Sequence, residues 1–130
     1  MTFVYIIVGI VLLFLGLQMY MIFSAKRSKG TKISGLSGNL KSLEKSGSKG
    51  IVYFFSPSCR ACTMQTPVIK SLQKKYKNIF DVDISKDLQT ARIFGVKATP
   101  TTVAIKDGII DNVFIGVKQQ DVFENYLQRR

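Results

Sequence analysis

The chain has 130 residues, 46% of them apolar and 21% charged, with a formal charge of +11. That suits one ordinary domain and excludes a disordered tail, and 10 Gly and 3 Pro without a period exclude a collagen-like or repeat-built chain. With no His there is no His-ligated metal site, no Ser-His or Cys-His pair and no imidazole switch, and two cysteines make no structural disulfide framework.

Residues 2–23 form an uncharged run in which only Thr2 and Gln18 are polar. As a helix it spans about 33 Å, enough to cross a hydrocarbon core. Tyr5 and Tyr20 lie near its ends, where amphipathic rings favour the interface. A cleaved signal peptide fits less well, because no Lys or Arg precedes the run and bulky residues 19–23 fill its end. Lys26, Arg27, Lys29 and Lys32 follow, with no acid until Glu44. Positive flanks stay inside, so the reading is a single-pass anchor (1–24) in the cell (inner) membrane, with the domain facing the cytoplasm.

Residues 24–50 hold seven Lys or Arg against one acid, a net of +6, and the remainder of the chain carries +5. Residues 25–37, rich in Ser and Gly, read as a basic flexible linker whose partner is anionic lipid, each cation contributing roughly 1 kcal/mol. Nucleic acid is not expected, since no binding module accompanies the charge. Leu36, Leu40 and Leu43 share a helical spacing, so a short helix near 38–46 opens a domain over 38–130.

Residues 51–55, IVYFF, predict a buried strand that Ser56-Pro57-Ser58 ends. Residues 59–76 are helical in period, with apolar positions 61, 64, 68, 69, 72 and 76 and an expected kink at Pro67. A second strand follows over 78–85. A helix over 86–94 turns Leu88, Ala91 and Ile93 or Phe94 inward and stops at Gly95. Strands at 101–105 and 109–117 flank the tight turn Asp107-Gly108, and 119–128 is a closing helix. The order predicts an α/β fold, a mixed sheet with helices on its faces.

Cys59-Arg60-Ala61-Cys62 lies where the first strand hands over to a helix. Unpaired N–H groups and the positive end of the dipole favour a thiolate there, and Arg60 adds positive charge. Cys59, nearer the end, is the expected nucleophile, and Cys62 the resolving thiol.

With this pair, the soluble part resembles the thioredoxin family. Pro67 falls five residues after Cys62, Thr99-Pro100-Thr101 matches the family's cis-proline loop, Lys106-Asp107-Gly108 its hairpin, and Gly116 lies sixteen residues after Pro100. The resemblance covers all but the anchor and linker. It implies a thioredoxin-like fold and thiol–disulfide oxidoreductase activity on protein disulfides, recharged by a thiol reductant or redox partner protein. It also implies a substrate strand paired to the backbone of Thr99 beside a cis Pro100. Arg60 is expected to join Thr99 and Pro100 in binding substrate.

The chain departs from the family in three places. Ser58 replaces a tryptophan, Arg60-Ala61 replaces Gly-Pro, and Tyr53 stands where the family has a buried acid that handles the proton of the second cysteine. A phenol is a poor proton acceptor at neutral pH, which leaves water or Asp81 as candidates. No nicotinamide or flavin motif is present, so neither cofactor nor metal is expected. Two other readings remain: a redox-inactive adaptor using the groove around Pro100, and a two-thiolate metal site completed by a second chain.

Overall fold

The computed structural model describes residues 1–26 and 28–129. Helix α1 (Thr2–Lys26) is a continuous apolar rod. Its stretch Thr2–Ser24 is long and apolar enough to cross a membrane, and none of it is buried against the rest of the chain. The domain follows with a 3-10 turn at Gly38–Glu44, then β1 (Lys49–Phe55), α2 (Cys62–Lys75), β2 (Ile79–Asp83), α3 (Leu88–Ile93), β3 (Thr101–Lys106), β4 (Ile109–Ile115) and α4 (Gln120–Gln128).

The four strands form one sheet in the order β2-β1-β3-β4. β1 pairs parallel with β2 and antiparallel with β3, and β3 pairs antiparallel with β4, so the sheet is mixed. Alternation along the strands divides the core between two faces. Val52, Phe54, Val103 and Ile105 point to the side covered by α3 and the 3-10 turn. Ile51, Tyr53 and Ala104 point to the side covered by Ile69 and Leu72 of α2 and Phe123 of α4. The β3–β4 turn needs left-handed backbone at both central residues, Asp107 (φ 56°) and Gly108 (φ 73°), as an Asp-Gly hairpin supplies. A Cβ on Gly108 would also come within 2.6 Å of the Glu44 carbonyl oxygen.

Three expectations need correction. Within the stretch read as a flexible linker, Ile33 and Leu36 are buried in the core. The chain there is strapped along β4: Gly30 N donates to Ile110 O (2.7 Å), Ile110 N to Thr31 O (3.0 Å), and Ile33 N to Gly108 O (2.9 Å). Burial of Ile33 and Leu36 together with these bonds to β4 outweighs the local Ser/Gly composition. Second, α2 begins at Cys62, because Cys59–Ala61 are taken up by turns after Ser56-Pro57-Ser58. Its inward face in the first turn is Cys62 and Gln65, leaving Ala61 and Met64 exposed, and the helix continues through Pro67. Third, Leu88 is exposed, because α3 is only six residues long and packs through Thr90 and Ala91.

Candidate active site

The site sits at one end of the sheet. In register, Phe54 of β1 lies opposite Thr101 of β3, which lies opposite Ile115 of β4. The loop from Phe55 to Cys59, the Pro100 loop and the loop after Ile115 therefore converge at the same end.

Cys59 and Cys62 are joined as a disulfide with their Cα atoms 5.3 Å apart. Cys59 is partly exposed, whereas Cys62 is 3% exposed beneath it. The Cys62 amide, at the first residue of α2, donates to Cys59 Sγ at 3.2 Å. This geometry favours negative charge on the outer sulfur, since a helix-terminal N–H without an intrahelical acceptor is aimed at it. Arg60 is exposed in the turn between the sulfurs, and its carbonyl accepts from Thr63 N (3.2 Å) and Thr63 Oγ1 (2.6 Å).

The Thr99–Pro100 peptide bond is cis. Pro100 is buried, with Thr99 half-buried beside it. The Pro100 carbonyl accepts from Gly116 N at 2.9 Å, which ties this loop to the end of β4. The sheet thus brings together Cys59, Cys62, Thr99, Pro100 and Arg60 from two separate stretches of chain.

Two side chains that the sequence reading did not single out hold this end together. Gln65 is fully buried; its Nε2 donates to Lys118 O (3.2 Å) and its Oε1 accepts from Lys118 N (2.6 Å), fastening α2 to the loop after Gly116. The available signal was a lone amide three residues after Cys62, on the face that Ile69 and Leu72 carry inward. Thr66 Oγ1 lies 3.0 Å from the hydroxyl of Tyr53, which also donates to the Cys62 carbonyl at 3.3 Å. Burial pushes the Tyr53 phenol above its ordinary range; the Thr66 hydrogen bond partly offsets this and the Asp81 charge adds to it. Tyr53 therefore stays neutral at physiological pH and steadies the start of α2 instead of taking a proton. Asp81 is held on the outside by Gln73 Nε2 (2.8 Å) and Lys70 Nζ (3.6 Å), and among the described residues no hydrogen bond joins it to either cysteine.

The thioredoxin family model matches residues 39–129. The thioredoxin of Borreliella burgdorferi is 33% identical over 81 residues, covering 60% of this chain and 69% of that protein. A reduced Schistosoma mansoni thioredoxin structure superposes with a TM-score of 0.59 at 33% identity, over 71% of this chain and 90% of the other. A Halobacterium salinarum thioredoxin mutant superposes with a TM-score of 0.63 at 20% identity, over 78% and 89%, and bears on the fold alone. A partly exposed sulfur facing a helix-terminal amide, a buried partner sulfur and this match place the chain in the thioredoxin family, as a thiol–disulfide oxidoreductase.

Proposed function

We propose that the protein is a membrane-tethered oxidoreductase that reduces protein disulfides through Cys59-Arg60-Ala61-Cys62. The observation that carries this reading is the unequal pair itself: Cys59 partly open to solvent and receiving the Cys62 amide, Cys62 covered. In the reduced protein, the Cys59 thiolate attacks one sulfur of a substrate disulfide. A mixed disulfide forms, and the departing substrate thiolate takes a proton from water. Cys62 then gives its proton to water and attacks Cys59 Sγ, closing the Cys59–Cys62 bond and releasing the second substrate thiolate, which takes a proton from water in turn. Two electrons and two protons reach the substrate, and an external thiol reductant restores the pair. Thr99 and Pro100 line the position for an extended substrate segment, with Arg60 at its rim.

The anchor, 1–24, is read as spanning the cell membrane once, on the strength of an uncharged helical stretch, Thr2–Ser24, long and apolar enough to cross a bilayer. The basic residues after it support lipid contact and a cytoplasmic domain, where the reducing thiol pool favours reductase action. Labelling the reduced pair with an impermeant maleimide only after cells are permeabilised agrees with that side; labelling in intact cells reverses it.

The mechanism is tested by single substitutions in the full chain. Cys59→Ser abolishes insulin-disulfide reduction, and Cys62→Ser accumulates mixed disulfides. Full activity in Cys59→Ser would refute the mechanism, and an unchanged cellular phenotype would turn the reading toward an adaptor.

A further inference from the structure

The strap that replaces the expected flexible linker fixes which end of the domain meets the membrane. It runs antiparallel to β4, with Lys32 bridged to Ile109 at the start of that strand. Followed backward from Lys32, the chain therefore runs toward the Ile115 end of β4, which is the end that carries the cysteines and Pro100. Ser28 still lies against the domain: a Cβ on Gly95 would come within 2.7 Å of Ser28 Oγ, and Gly95 opens the loop that leads to Pro100. The apolar stretch ends at Ser24. Four residues reach at most about 14 Å even when fully extended. In the structure the gap is closed altogether, with Lys97 Nζ donating to Ser24 Oγ at 3.0 Å.

The surface at this end suits a bilayer-bound partner. Met64, Ile115 and Val117 are 68%, 48% and 41% exposed there. Arg60 and Lys97 are exposed beside them, complementary to anionic headgroups. The opposite end, with the Asp107–Gly108 turn and the 3-10 turn, points away.

Resting on the tethered-oxidoreductase reading, we propose that the redox end of the domain faces the bilayer, and that its substrates are integral membrane proteins presenting a disulfide in an extended segment at the membrane–water boundary. The same two-electron exchange applies, with the reduced Cys59/Cys62 pair as the reductant. A disulfide carried far from the bilayer meets the wrong end of the domain, and the strap is too short to turn the domain over.

The test uses the reduced full chain in phosphatidylcholine/phosphatidylglycerol vesicles, in single turnover. Two synthetic transmembrane peptides serve as probes. One has its disulfide loop directly after the span, the other at the tip of a helical stalk of about 25 residues, roughly 37 Å long. The boundary disulfide is reduced at least about tenfold faster than the distal one, an effect of local concentration. A Gly-Ser spacer of about 20 residues inserted between Lys26 and Arg27 frees the domain, by roughly 25 Å, and removes the preference. Equal rates on the two peptides in the unaltered chain overturn the proposal and leave the oxidoreductase reading intact. Failure on both peptides and on insulin in detergent sinks the oxidoreductase reading, and failure of the chain to float with vesicles sinks the tether; either takes this proposal with it.

Discussion

Replacing Gln65 with Met measures how firmly the active-site helix is fastened to the loop beside Pro100. Met preserves the length and roughly the volume of the side chain while removing both polar ends. Two hydrogen bonds disappear, the Nε2 bond to Lys118 O and the bond from Lys118 N to Oε1. Each is worth about 1 kcal/mol net, and a buried main-chain group left unpaired costs about 1–3 kcal/mol more. Lys118 is half-buried, so water recovers part of that loss. The expected destabilisation is about 2–3 kcal/mol, a large share of the roughly 5–15 kcal/mol that a domain possesses. Urea unfolding of the full chain in mild detergent reads it as a fall in midpoint of about 1–2 M with an unchanged slope. Because Lys118 follows Gly116, which donates to the Pro100 carbonyl, the variant also loosens the Thr99–Pro100 loop and slows substrate reduction while Cys59 alkylation stays near its original rate. A loss below about 0.5 kcal/mol, smaller than a single net hydrogen bond, would refute the reasoning.

Two further outcomes follow from the core and from its phenols. Ile33→Ala, in the strap, costs about 2–4 kcal/mol, because Ile33 is 1% exposed among Val52, Phe54 and Ile110; a change within about 0.5 kcal/mol, as for a surface residue, would show that the strap is not part of the folded unit. Burial holds the phenols of Tyr53 and Tyr126 above their ordinary range, with the Asp111 charge adding to the second. In the unfolded chain both ionise near pH 10, so above that the folded state binds more protons. The stability these groups contribute is full below about pH 10 and falls as pH rises further. The double variant Tyr53→Phe/Tyr126→Phe has a flatter alkaline limb in unfolding midpoints measured between pH 8 and 11, and parallel limbs would contradict the assignment.

Local chemistry settled much of this protein in advance. A 22-residue uncharged run can only be a long apolar helix, and Asp107-Gly108 between β-prone stretches can only be a tight hairpin, because each depends on the side chains in one short window. The Cys59–Cys62 pair was equally legible, since both sulfurs and the helix terminus beside them lie within four residues. Thr99 and Pro100 became interpretable through family spacing, although nothing local says that they lie beside a cysteine loop some forty residues away.

The tertiary structure decided what depends on partners distant in sequence. Ser and Gly around Ile33 suggested a free linker, yet the open edge of β4 offered Gly108 and Ile110 as hydrogen-bond partners, and the core had room for Ile33 and Leu36. Gln65 looked like an ordinary helix residue until Lys118 supplied both a donor and an acceptor. Asp81 was a plausible proton carrier by charge alone, but its place in β2, opposite Tyr53, aims it at Gln73 and Lys70 on the outer side of α2. Composition and period act over a few residues, and they determined the elements and the reactive pair. Which edge is covered and which polar group is satisfied are set by contacts across the sheet, and those exist only once the chain has folded.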